Sequence, residues 1–151
     1  MARRWRNYTD IDDATCRTIY DAVCPPGLPA HDVEIKNCGG RGGRGMAYTK
    51  GSSYHTTARP FVVVSIPRTD VLARAVRSWN VPKGGYLPIV HGSRLECFVV
   101  ILAHELRHLW QGKAKGRPRG MVYGAKGRFS ERDADAYALR MLRRYRRGEL
   151  T

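Results

Sequence analysis

The chain has 151 residues, of which 42% are hydrophobic, enough for one domain with a buried core. It carries 27 Lys and Arg against 13 Asp and Glu, a formal net charge of +14, which favours polyanionic partners such as nucleic acid or acidic protein surfaces. The longest apolar run, Cys97 to Ala103, falls well short of the roughly 18 residues of a membrane span, so no membrane partner is expected.

The first residues, Met1 to Tyr8, read as a basic tail with no apolar segment behind it. No secretory signal is expected, and a cytoplasmic location follows. Cys16, Cys24, Cys38 and Cys97 include no Cys-x-x-Cys pair, so thiols in a reducing compartment are expected. A second metal site from Cys24, His31 and Cys38 would lack the close ligand pairs that structural zinc sites draw on.

Residues Thr9 to Val23 predict a first helix, capped by Thr9 or Asp10 and ended by Pro25-Pro26-Gly27. Ile11, Thr15, Ile19 and Val23, with Ala14 and Ala22, form its expected core face. From His31 to Pro67 the period changes to that of strands. Val33-Glu34-Ile35, Met46-Ala47-Tyr48 and Pro60 to Ile66 predict three short antiparallel strands. Gly39 to Gly45 alternates Gly with Arg, as nucleic-acid-binding segments do, but between two strands it reads first as a flexible hairpin loop. A short helix is expected over Asp70 to Trp79, a turn at Pro82 to Gly85, and an extended segment from Tyr86 to Val90 whose edge could pair with a peptide.

The stretch Cys97 to Gln111 contains His104-Glu105-Leu106-Arg107-His108. On a helix, residues four apart share a face, so both imidazoles can hold one metal ion while Glu105 reaches a water bound to it. Ser93 and Glu96 have the spacing of a capping box, and Gly112 is the expected stop. Leu95, Phe98, Leu102, Leu106 and Leu109 would bury one side. A basic loop from Lys113 to Gly120 follows. Ser130 then caps a last helix that Gly148 ends, with Ala134, Ala138, Met141, Leu142 and Tyr145 as its packing side.

Glu131, at the start of that helix, completes a set of two histidines and one carboxylate, leaving a fourth tetrahedral position for water. Asp135, one turn on, can accept the second ring N–H of a ligand histidine.

His104-Glu105-x-x-His108 followed by Glu131-x-x-Ala134-Asp135 resembles the gluzincin metallopeptidases, the clan of thermolysin. The order of elements is similar to the minimal members of the ImmA/IrrE group and to SprT-like domains. SprT-like proteins use a third histidine, and none follows His108 here, which favours the glutamate ligand. The specific match runs over roughly residues 93 to 147.

The resemblance implies a single zincin-like α+β domain over 1–151. Its expected parts are an N-terminal helix, a small and mostly antiparallel sheet of three to four strands, the His-bearing helix and the glutamate helix. It also implies one zinc ion per chain and hydrolysis of a peptide or protein substrate, with Glu105 as general base. Tyr123 is the first candidate for the oxyanion donor, ahead of Tyr137, His55 and His91, with plain packing as the competing role.

Arg140, Arg143, Arg144 and Arg147 fall on one helical face, with Arg146 beside them, and form a candidate phosphate-contacting stripe. The competing reading of the whole chain is a basic nucleic-acid-binding or regulatory module with a structural or inactive zinc site. Glu105 separates the two, because a structural site needs no carboxylate beside its first ligand.

Overall fold

The computed structural model describes residues 2–39, 43–48, 60–74, 89–113 and 131–150. It shows an α+β fold whose sheet is largely parallel and starts at the very beginning of the chain.

The expected basic tail is a strand, β1 (Ala2–Asn7). Arg4 and Arg6 point to solvent while Trp5 and Asn7 turn inward, so the period-2 alternation is carried by charges rather than by a hydrophobic run. Helix α1 (Asp13–Val23) begins later than Thr9 or Asp10 would have it. Asn7 folds Thr9 into a turn, accepting from its backbone N–H at 2.9 Å and its hydroxyl at 2.7 Å. Asp12 becomes the cap and accepts from Thr15 N–H at 2.8 Å. Ile19 and Val23 are buried as expected, with Ile11 and Ala22 packed against the core; Cys16 and Tyr20 join that face, while Ala14 is exposed.

Strands β2 (His31–Cys38), β3 (Arg44–Tyr48) and β4 (Phe61–Pro67) complete the main sheet in the spatial order β1-β2-β4-β3. β1 runs parallel to β2 and β2 parallel to β4, which corrects the antiparallel expectation; among the described strands of this sheet, β3 against β4 is the antiparallel pair. A parallel pair needs a crossover, and α1 supplies it between β1 and β2. The register sets Val33 beside Val62 and Ile35 beside Val64, one fully buried face against the helices.

The helix expected over Asp70 to Trp79 is not seen in its described part. Ala73–Arg74 form a short strand β5, paired antiparallel with β6 (Val90–His91). The turn at 82–85 and most of the extended segment from Tyr86 lie outside the described residues.

Helix α2 (Arg94–Lys113) crosses the buried sheet face and is apolar nearly all round in its middle, as a central helix must be. Ser93 caps it, accepting from Glu96 N–H at 3.1 Å; Glu96 returns the bond to Gly92 N–H at 2.7 Å, one residue before the cap. Arg94 clamps this end to its surroundings, donating to the Pro67 carbonyl at 2.8 Å and to both carboxylate oxygens of Asp10. Gly112 does not stop the helix, which runs on through Lys113.

Helix α3 (Glu131–Arg146) packs alongside α2. Ala134 and Ala138 are fully buried, so the two backbones approach closely, and Met141 and Leu142 extend the contact. Gly148, at φ 71°, ends the helix as expected. Its N–H donates to Tyr145 O, and Glu149 N–H reaches back to Arg144 O, the paired bonds of a Schellman motif. Ser130 and the basic loop after Lys113 lie outside the described residues. No helix among the described residues is long and apolar enough to cross a membrane.

Candidate metal centre

His104 and His108 stand one turn apart on α2 and face the first turn of α3. His104 Nε2 lies 2.9 Å from His108 Nε2, and Glu131 Oε2 lies 3.1 Å from the first and 3.2 Å from the second. The three residues sit where an ion could be held by all of them. His104 and His108 are partly buried, and Glu131 is buried.

Hydrogen bonds on the far side of each ring decide what this convergence means. His104 Nδ1 is 2.9 Å from Asp135 Oδ1, a carboxylate that accepts, so Nδ1 carries the proton. His108 Nδ1 is 2.7 Å from Gln111 Oε1 and is likewise the N–H. Two Nε2 lone pairs and a carboxylate oxygen therefore meet at one point. Such a meeting of electron-pair donors is repulsive unless positive charge lies among them, either a proton on one Nε2 or a metal ion. Tetrahedral ligands held about 2.0–2.1 Å from zinc are about 3.3 Å apart, a few tenths of an ångström wider than these separations. The donor set fits a metal ion.

The electrostatics point the same way. Burial works against a charged His104 ring, but hydrogen bonds to Asp135 and Glu131 outweigh it and push the ring up to about 10. For Glu131, burial favours the neutral acid, yet the two imidazoles hold its carboxyl far below the usual range. The pocket is built to hold positive charge.

Glu105 turns from the same helix toward β3 and is buried there. Burial pushes its carboxyl up, and the Ala47 backbone hydrogen-bonds to it. Gly45 makes room: a Cβ at that position would stand 2.5 Å from Glu105 Cγ and 2.6 Å from its Oε1. Gly43 does the same further up the helix, where a Cβ would meet Cys97 Sγ at 2.5 Å and Ser65 O at 2.7 Å. Residues 40–42 lie outside the described residues. The described end of the expected glycine-rich loop is thus a packing surface against α2.

Of the expected oxyanion donors, Tyr123 and His55 lie outside the described residues. Tyr137 donates its hydroxyl to Val23 O at 2.6 Å, tying α3 to the end of α1. His91 is buried in β6, ahead of the first turn of α2, about 15 Å of helix from His104. His31 is occupied on both sides, Nδ1 by Pro29 O at 2.7 Å and Nε2 by the Tyr20 hydroxyl at 2.8 Å, and Cys24, Cys38 and His31 form no cluster that could hold an ion.

The arginine stripe is partly neutralised. Arg144 and Arg147 both bind Glu149, and Arg146 binds Glu96 at 2.8 and 2.9 Å. Arg140 lies 5.1 Å from the Tyr137 ring centre, and Arg143 is exposed.

Gln111, Asp133 and Arg107 are the site residues that sequence reasoning missed. Gln111 Nε2 donates to Asp133 Oδ2 at 3.0 Å, and Arg107 donates to both Asp133 oxygens at 2.7 and 3.2 Å. The available signal was a polar residue one turn after His108 on an otherwise apolar helix. No protein-family model, curated protein or solved structure matches the chain.

Proposed function

We propose that the chain is a zinc metallopeptidase of gluzincin type, with His104, His108 and Glu131 as ligands and Glu105 as general base. The observation that carries the reading is the pairing of two features: three convergent electron-pair donors, and beside them a buried carboxylate that none of those donors needs. A zinc ion held there would polarise the scissile carbonyl and acidify the attacking water. Asp135 and Gln111 orient the imidazoles so that both Nε2 atoms face the same point. Glu105, steadied by the Ala47 backbone, takes a proton from the attacking water and returns it to the leaving amine.

The substrate class is a peptide or protein. Arg140 and Arg143 add a positive surface that would bring the enzyme to polyanion-bound proteins. The competing reading, a basic binding module with a structural zinc, gives no use to Glu105. Among the described residues the cluster has three ligands, the number a catalytic zinc site takes from the protein. The test is Glu105→Gln: zinc uptake and fold are retained while peptide cleavage falls about 10²–10⁴-fold. Wild-type cleavage by that variant would sink the mechanism.

A further inference from the structure

We infer that Gln111 is the positioning residue for His108, and that Asp133 and Arg107 hold its amide the right way round. The inference rests on the metal reading proposed above. Gln111 is 2% exposed, and its side chain lies between His108 and the first turn of α3. A primary amide is nearly symmetric in shape, so its two orientations differ in chemistry rather than in fit. With Oε1 toward His108, the ring N–H sits on Nδ1 and Nε2 presents its lone pair to the ion. With the amide reversed, the NH2 group would meet Nδ1 and require it to be bare. The ring proton would then move to Nε2, aimed at His104 Nε2 and Glu131 Oε2, and would block the ligand position.

Asp133 chooses between these states, because a carboxylate only accepts and therefore takes the NH2 side of Gln111. Arg107 fixes the carboxylate through two bonds, and its own guanidinium lies 3.9 Å from the Trp110 ring centre and 5.5 Å from that of Tyr137. The chain Arg107–Asp133–Gln111–His108 thus runs from α2 to α3 and back. The two ligand rings are oriented by different chemistry, His104 by the anion of Asp135 and His108 by a neutral amide.

The test measures zinc affinity of the full chain by chelator competition, together with the nitrogen-15 ring signals of His108. Wild-type signals should show Nδ1 protonated and Nε2 bound to zinc. Gln111→Met, which keeps the volume and removes the acceptor, should weaken zinc binding about 10–100-fold. The double variant Gln111→Glu/Asp133→Asn exchanges acid and amide, restores an acceptor for Nδ1–H, and should recover most of the loss. Undiminished affinity in Gln111→Met overturns the inference, as does a wild-type ring protonated on Nε2, a readout that does not depend on any variant folding. Failure of the wild type to take up zinc overturns the metal reading itself; normal uptake with an indifferent Gln111 overturns this inference alone.

Discussion

Gly45→Ala separates the close approach of α2 and β3 from ordinary strand behaviour, because the two make opposite forecasts. Gly45 lies within β3, and its φ is not in the left-handed region, so propensity alone favours alanine by roughly 0.5–1 kcal/mol. The packing says otherwise. The new Cβ would meet Glu105 Cγ at 2.5 Å, Glu105 Oε1 at 2.6 Å and Ile101 Cγ2 at 2.6 Å, all inside contact distance, and both side chains are buried. Overpacking of this kind costs about 1–3 kcal/mol, which exceeds the propensity gain over most of its range. The net expectation is a loss of up to about 2.5 kcal/mol, centred near 1 kcal/mol, or a fall in Tm of about 2–4 °C at that centre for a domain of this size. Relief of the clash pushes Glu105 away from the Ala47 backbone, so peptide cleavage falls, while His104, His108 and Glu131 keep their zinc. Thermal unfolding, zinc titration and a peptide-cleavage assay on one preparation read all three. A variant as stable as wild type, or more so, with full activity would refute the close packing on which the placement of Glu105 depends.

Tyr137→Phe removes the 2.6 Å hydrogen bond to Val23 O and should cost about 1–3 kcal/mol in urea unfolding; unchanged cleavage by the folded variant would exclude Tyr137 as an oxyanion donor. Glu96 titrates below its ordinary value near 4.5, first through its hydrogen bonds with Arg146. A carboxylate with a lowered folded value stabilises fully above the unfolded value, and the contribution disappears as pH falls through the folded one. Stability measured from pH 6 downward should therefore drop below about pH 4.5, and Glu96→Gln should flatten that part of the curve; identical pH profiles would contradict the pairing.

The candidate metal site was legible because its chemistry is local. His104 and His108 share a face through helical spacing alone, and Glu131 with Asp135 repeats that spacing on the next helix, so each pair could be placed without knowing the fold. Asp135 accordingly sits 2.9 Å from His104, within hydrogen-bond reach of its ring. Gly148 likewise marks a helix end through one left-handed residue.

What the sequence concealed depends on contacts between distant segments. β1 hides because its alternating side chains are arginines, and its parallel pairing with β2 requires the crossover through α1. Gly43 and Gly45 read as loop residues until α2 is laid against them, when the missing Cβ becomes their purpose. Gln111 shows in the sequence only as a polar residue one turn after His108; it acquires a role when Asp133 arrives from α3 to set its amide. Thr9 and Asp10 give way to Asp12 as the cap: Asn7 folds Thr9 into a turn, and Arg94, far along the chain, takes Asp10.

The central claim is that His104, His108 and Glu131 bind zinc. Elemental analysis of protein purified without added metal, for wild type and Glu131→Ala, tests it most directly. About one zinc per wild-type chain, markedly reduced in the variant, is the expected result. A wild-type chain that takes up no zinc even when it is supplied would contradict the claim.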